Sequence, residues 1–347
     1  MENNIPLVSI IIPCRNEEKF IGKCLNSVLT QDYPQNQMEI LVADGRSIDG
    51  TRKILDNYVL KFPLVRWLDN PKMIVPSGLN ILIRQAKGEI IIRMDAHNKY
   101  PKDYISKCVK YLNEYRVDNV GGIWITLPGA DTLIAQAIAK ATSCGFGVGN
   151  VSYKLGVKEP TYVETVPFGC FFKKTFDKVG LFDEDMVRAQ DSELNHRIIK
   201  NGGKILLVPD IVSYYYARET FRKMVRMYSQ YGYFKAFTAV KLGGVFTVRQ
   251  FIPALFVASV LFLSLGSIFY TVFGFLLCLD IGAYLLANIV ASVKLSFGKD
   301  WRLFPLLVWA FILIHFTFGF NYLRGILDFW ILRKHLRIKL SDLPVTR

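Results

Sequence analysis

Between Arg249 and Lys294 the chain carries one charged residue, Asp280. A soluble domain interrupts its apolar helices with a polar face every turn or two, and this stretch has none. Phe251 to Val293 is long enough for two membrane spans of ~20 residues, with a tight turn expected between Tyr270 and Gly274. Leu303 to Phe320 is a third candidate. The first two-thirds of the chain reads differently, as short β-branched runs, turn residues and charged amphipathic segments. The expected organisation is a polar α/β domain over residues 1–215, amphipathic interfacial helices over 216–248, transmembrane helices over 249–325 and a basic tail over 326–347. Two or three spans both remain open. With the polar domain inside the cell, three spans place the basic tail outside, against the positive-inside tendency, and a re-entrant or tilted last segment removes the conflict.

Charge narrows the partners. Lys and Arg outnumber Asp and Glu by 43 to 29, a formal net charge of +14. Such an excess suits nucleic acid, anionic lipid or phosphorylated substrates. Much of it flanks the apolar segments, at Arg218, Arg222, Lys223, Arg226, Lys235, Lys241 and Arg249, and again at Arg333, Lys334, Arg337 and Lys339. That placement favours a membrane surface. No nucleic acid partner is expected, because neither a stacking platform nor a recognition helix accompanies the charge. Ala217 to Val240 interleaves cations with aromatic residues and reads as an interfacial helix broken at Gly232, or else as an ordinary surface helix. Six scattered cysteines without a C-x-x-C spacing suggest reduced, mostly buried thiols facing the cytosol. Met1 to Pro6 is polar and has no signal-peptide pattern. The expected location is the cell membrane, multi-pass, with the polar domain on the cytoplasmic face.

Within that domain, Val8 to Pro13 is a continuous apolar run of the kind buried on both faces of a parallel sheet, and Met38 to Asp44 reads as a second strand that ends in Asp. Amphipathic helices follow each, and a third run, Glu89 to Ile92, leads into Arg93-Met94-Asp95-Ala96-His97. This β-α-β-α-β alternation implies right-handed crossovers and ligand binding at the carboxyl ends of the strands. Spacing i, i+2 on an extended segment would point Asp95 and His97 to one side, where an oxygen and a nitrogen can hold a divalent cation over a diphosphate. A solvated strand end is the alternative. Lys72 and Arg93 are either phosphate contacts or solvated charges, and Arg188 is a candidate for the donor phosphate. Gly121-Gly122 permits close backbone approach, to a ligand or within the sheet. Asp280, inside an apolar span, is a functional candidate by position.

Four motifs then add up. Val8-Ser9-Ile10-Ile11-Ile12-Pro13-Cys14-Arg15-Asn16-Glu17, Val42-Ala43-Asp44-Gly45-Arg46-Ser47-Ile48-Asp49-Gly50-Thr51, Asp95-Ala96-His97 and Gln190-Asp191 occur in this order over about residues 7–240. Together they resemble the inverting family-2 glycosyltransferases of GT-A fold. The apolar C-terminal part resembles the membrane-anchored succinoglycan and exopolysaccharide subgroup. The resemblance implies that Pro13, Asn16 and Glu17 line a nucleotide pocket and that Asp44 binds uracil or ribose. It implies that Asp95 opens a D-x-D-type motif, with His97 in place of the usual second Asp, so that Mn²⁺ suits the site better than Mg²⁺. Asp191 matches the catalytic base, with Gln190 where Glu is usual; Glu184 and Asp185 compete for that role. Glu193 is the expected partner of Arg197. Arg218, Arg222, Arg226 and Gln230 lie where related enzymes carry a Q-x-x-R-W segment; the exact motif is absent, which disfavours processive synthesis. The implied activity moves one sugar from a nucleotide diphosphate sugar, a UDP-sugar by expectation, to a polyprenyl-diphosphate-linked acceptor. A transferase acting on the lipid phosphate itself is the alternative enzyme. A membrane scaffold with a degenerate nucleotide-binding domain is the alternative from another class.

Overall fold

The computed structural model describes residues 5–149, 151–244, 248–298 and 300–336; the end of the basic tail, with Arg337 and Lys339, lies outside them. The chain divides into two compact units, residues 1–125 with 152–215, and residues 126–151 with 216–347.

The first unit is built on a mixed sheet. Its strands are β1 (Val8–Cys14), β2 (Met38–Asp44), β3 (Val65–Asp69), β4 (Ile90–Arg93), β5 (Asn98–Lys99), β6 (Asn119–Leu127), β7 (Thr161–Tyr162), β8 (Cys170–Phe172) and β9 (Ile205–Tyr216). They follow the order β3-β2-β1-β4-β8-β6-β9-β5, with β7 against β9. The block from β3 to β4 is parallel, and β8 joins β4 antiparallel. Every residue of β1 is buried, as its unbroken apolar run requires. Side chains alternate between two cores: Ile10 and Ile12 enter one, Ile11 the other. Helices α1 (Ile21–Leu29), α2 (Thr51–Lys61) and α4 (Tyr104–Tyr115) cover the first face, and α3 (Val75–Gln85) with a later helix, Gln190–Lys200, covers the second. The strand order reverses beside β1, so the loops after β1, β2 and β4 open at one edge.

The Gly121-Gly122 pair serves the sheet. A Cβ on Gly122 would stand 1.9 Å from the Ile211 carbonyl oxygen of β9. Gly122→Ala is therefore expected to destabilise the protein by about 1–3 kcal/mol through forced strand separation, read as a lower thermal unfolding midpoint.

In the second unit, α5 (Leu133–Ala141) and the one-turn helix α6 (Gly145–Val148) precede the C-terminal helices. The first unit contributes α7 (Ser152–Leu155), α8 (Lys173–Val179) and α9 (Gln190–Lys200); then come α10 (Phe221–Lys241), α11 (Ile252–Gly266), α12 (Thr271–Ser296) and α13 (Leu303–Gly325). The break expected at Gly232 does not occur. Helix α10 runs straight through, because Gly232 lets it approach α13, where a Cβ would meet the Phe318 carbonyl oxygen at 2.3 Å. Among the described residues two helices are long and apolar enough to cross a membrane, Thr271–Ser296 and Leu303–Ile331. Helix α11, at 15 residues, spans about 22 Å, short of a ~30 Å hydrocarbon core. Only 6 % of the apolar window of α12 is buried within the protein, so it is not the core helix of a soluble domain. Asp280 accepts a hydrogen bond from Ser259 on α11 at 2.7 Å.

Candidate active site

The loop after β1 and the loop after β2 are stitched together. Asn16 adopts a left-handed backbone (φ 55°), its amide donates to Ser47 Oγ at 2.8 Å, and its Oδ1 accepts from the Ile48 amide at 2.9 Å. The Glu17 amide donates to Thr51 Oγ1 at 2.8 Å, and the Gly45 amide to the Cys14 carbonyl at 2.8 Å. Pro13 sits within β1 opposite Ala43. Asp44 is fully buried; Oδ1 accepts from Ser47 Oγ and Oδ2 from Arg52 Nε, both at 2.5 Å. Arg52 also binds Asp69 at 2.6 Å. Because Asp44 is fully buried, a direct contact to a nucleoside requires the residues around it to shift. The Arg52 clamp escaped the sequence reading. Its signal was two neighbouring strands that both end in Asp, Asp44 and Asp69 in register, which calls for a cation between them.

The segment after β4 is not extended. Strand β4 ends at Arg93, and Asp95 to Asn98 forms a turn closed by the Asn98 amide on the Asp95 carbonyl at 3.2 Å. Strand alternation therefore does not govern Asp95 and His97. His97 Nδ1 lies 3.6 Å from Glu17 Oε1, whereas Asp95 turns to Arg93. The Asp95 amide is fixed by the Tyr100 hydroxyl oxygen at 2.7 Å.

Arg93 is the junction of the site. It is 3 % exposed, so its charge needs partners, and its guanidinium is held by two carboxylates. Nη2 donates to Asp95 Oδ1 at 3.1 Å, and Nη1 donates to Asp191 Oδ1. Its Cζ lies 5.8 Å from the centre of the Phe168 ring. In this arrangement Arg93 is neither a solvated charge nor open to a phosphate. Asp191 stands in the first turn of α9, entered through Ala189 in left-handed conformation (φ 62°). Burial pushes its pKa up, Arg93 pulls it down and the Asp95 charge raises it, to about 6. A carboxyl so poised is ionised at neutral pH yet basic enough to accept a proton.

Of the competing carboxylates, Glu184 is occupied and Asp185 lies exposed. Glu184 binds Lys72 at 2.5 Å and accepts from Asn80 Nδ2 at 3.1 Å; burial opposes, but these contacts lower its pKa. Lys72 thus has a carboxylate partner on an exposed surface. Glu193 grips Arg197 with both oxygens, at 2.6 and 2.8 Å, as expected. Asp185 is exposed, and Arg188 is half-buried two residues before α9. Arg218, Arg222, Arg226 and Gln230 belong to the second unit.

Among the described residues no cluster of three ligating side chains is present. Asp95 and His97 already have protein partners, Arg93 and Glu17, so the turn after β4 offers an ion two side chains at most. Mg²⁺ and Mn²⁺ at nucleotide sites commonly take one or two protein ligands and complete their shells with phosphate oxygens and water.

These features define a class: a nucleotide-sugar-type α/β sheet with acidic groups gathered where strand order reverses. A family model, glycosyl transferase family 2, matches residues 9–179. The chain is 29 % identical over 328 residues to the dolichyl N-acetyl-alpha-D-glucosaminyl phosphate 3-beta-D-2,3-diacetamido-2,3-dideoxy-beta-D-glucuronosyltransferase of Methanococcus voltae, covering 92 % of this chain and 97 % of that one. It is 28 % identical to the succinoglycan biosynthesis protein ExoA of Rhizobium meliloti, covering 92 % and 95 %. Among solved structures, the mannosyltransferase PcManGT of Pyrobaculum calidifontis, in complex with GDP-Man and Mn²⁺, superposes with a TM-score of 0.59 at 18 % identity, over 94 % of this chain and 88 % of that one. Staphylococcus aureus TarS 1-349 with UDP-GlcNAc gives 0.50 at 18 %, over 91 % and 90 %. The fold is GT-A, and the chain is a glycosyltransferase in which residues 9–179 match the family-2 domain. Over 92 % of its length it is similar to the succinoglycan type.

Proposed function

We propose that this enzyme transfers a sugar from a nucleotide diphosphate sugar, of the UDP type, to a saccharide carried on a polyprenyl diphosphate, with inversion at the anomeric carbon. The observation that carries the reading is the buried Arg93 holding Asp95 and Asp191 together at the strand ends. A one-step displacement needs a base at the acceptor hydroxyl and both substrates in line. Asp191 takes the acceptor proton as the hydroxyl oxygen attacks the anomeric carbon and the bond to the diphosphate breaks. Asp95 and His97, both on the turn after β4, are the side chains that would hold a cation at the diphosphate. A divalent cation bound there would offset the charge that develops on the leaving group. The lipid-linked acceptor is supported by the name of the Methanococcus voltae relative, which specifies a dolichyl-linked sugar phosphate, and by the apolar, exposed surface of α12. The same surface supports a membrane location; a cytoplasmic catalytic unit rests on the nucleotide-sugar donor that the reading requires.

The test is nucleotide release by detergent-purified protein across a donor panel, with lipid-diphosphate saccharides as acceptors and Mn²⁺ against Mg²⁺. Absence of release with every donor and acceptor overturns the reading. His97→Asp sharpens it. The new carboxylate would face Glu17, at a site where His97 now stands 3.6 Å from Glu17 Oε1. The variant is expected to keep activity, to shift its preference toward Mg²⁺ and to melt higher when Mg²⁺ is added, because a cation relieves the like-charge pair.

A further inference from the structure

One polar group beside the site has no role in the chemistry above. Asn98 is 5 % exposed, and neither its Oδ1 nor its Nδ2 meets a hydrogen-bond partner among the described residues. The Trp124 Nε1 is likewise buried and unpartnered. Buried polar groups are ordinarily satisfied, and each one left open costs about 1–3 kcal/mol. The two belong to one place. Asn98 pairs directly with Tyr215 across β5 and β9, which puts both side chains on the same face. The Tyr215 ring in turn stacks on Trp124 at 4.8 Å with an interplanar angle of 13°. Trp124 also packs on Phe168 at 5.3 Å, and Phe168 lies beneath Arg93. The pair is thus continuous with the Arg93 junction. It lies over β6, β9 and β5, toward the opposite end of the sheet from the stitched loops after β1 and β2.

We propose that Asn98 and the Trp124 indole N–H form a pyranose subsite of this enzyme, walled by Tyr215 and Phe168. A carboxamide offers two donors and an acceptor, the set that hydroxyls need, and aromatic walls suit the apolar face of a sugar ring. The indole meets Tyr153 edge-on at 5.1 Å, and Lys154 Nζ stands 5.9 Å over its ring. Both belong to the short helix α7, which packs against the indole from that side. The proposal rests on the transferase reading for the identity of the sugar, which is that of either the donor or the acceptor.

Asn98→Val and Trp124→Phe test it in the full-length protein in detergent. Sugar binding is followed by tryptophan fluorescence with methyl pyranosides and with UDP-sugars, alongside kinetics. Asn98→Val is expected to bind sugar about tenfold more weakly while its thermal midpoint stays level or rises, because an unsatisfied amide is removed. A purely structural Asn98 would instead lower the midpoint and leave binding alone. The fluorescence response is expected to vanish in Trp124→Phe. Weaker binding of UDP-sugar with unchanged binding of UDP assigns the subsite to the donor. A tenfold loss in kcat/KM for the acceptor at unchanged donor affinity assigns it to the acceptor. Sugar affinity and both KM values within twofold of wild type in Asn98→Val overturn the subsite. If wild type releases nucleotide on transfer in the same experiment, the transferase reading survives that result. A fluorescence response to glycosides without transfer upholds the subsite and overturns the transferase instead.

Discussion

Asp191→Asn is expected to lower turnover by about 10²–10⁴-fold with the fold intact, because the amide keeps the shape and cannot accept the acceptor's proton. The wild-type pH profile carries the same signature. Only the ionised carboxylate is a base, and burial sets its pKa at about 6. Turnover should therefore fall about tenfold for each pH unit below that value and level off above it. The acid limb should be missing from the residual activity of Asp191→Asn. The variant also separates the two acceptor chemistries. A lipid phosphate acceptor needs little deprotonation, so retention of most activity would favour that chemistry over a saccharide hydroxyl.

Arg93→Met is the second large effect, and it reaches further than catalysis. The wild-type guanidinium, 3 % exposed, neutralises Asp95 and Asp191 at once. Removing one partner of a buried ionic group costs about 3–5 kcal/mol, because the charges left behind are uncompensated. The thermal midpoint should drop sharply, and the remaining fold should hold Asp191 protonated to higher pH, since burial and Asp95 then act unopposed. Arg93→Lys is expected to be milder in stability and still poor in turnover, because an ammonium lacks the fork that spans both carboxylates. Unfolding curves and the pH profile of each variant check this. An Arg93→Met protein with wild-type stability would show that the junction does not hold the site.

Why the Arg93 junction escaped the sequence is instructive. Asp95 and Asp191 were legible because each follows a recognisable pattern: an apolar strand that ends in an acid, and an acid that opens a helix. Arg93 offered no such context. Its second partner is 98 positions away, and nothing local distinguishes an arginine bound for solvent from one bound for a buried carboxylate. Strands β1, β2 and β4 read clearly because both faces are buried and the runs are unbroken. Strand β9 runs through Pro209 to Tyr216 and so delivers Tyr215 to the site. Strands β5 and β7, two residues each, carry no periodicity at all. Gly232 misled for the opposite reason. Helix propensity counts the glycine as a break, whereas packing against α13 requires its missing side chain.

The stitched loops after β1 and β2 bear on how the donor is received. Asn16, Glu17, Gly45 and Ile48 already spend their amides on protein oxygens before any ligand arrives. A cradle that stands ready pays no ordering entropy on association. Amide hydrogens of these four residues should exchange slowly with deuterium in the free enzyme, and addition of nucleotide should change their rates little. At that end of the site, selectivity among donors then comes from rigid fit rather than from closure around the ligand.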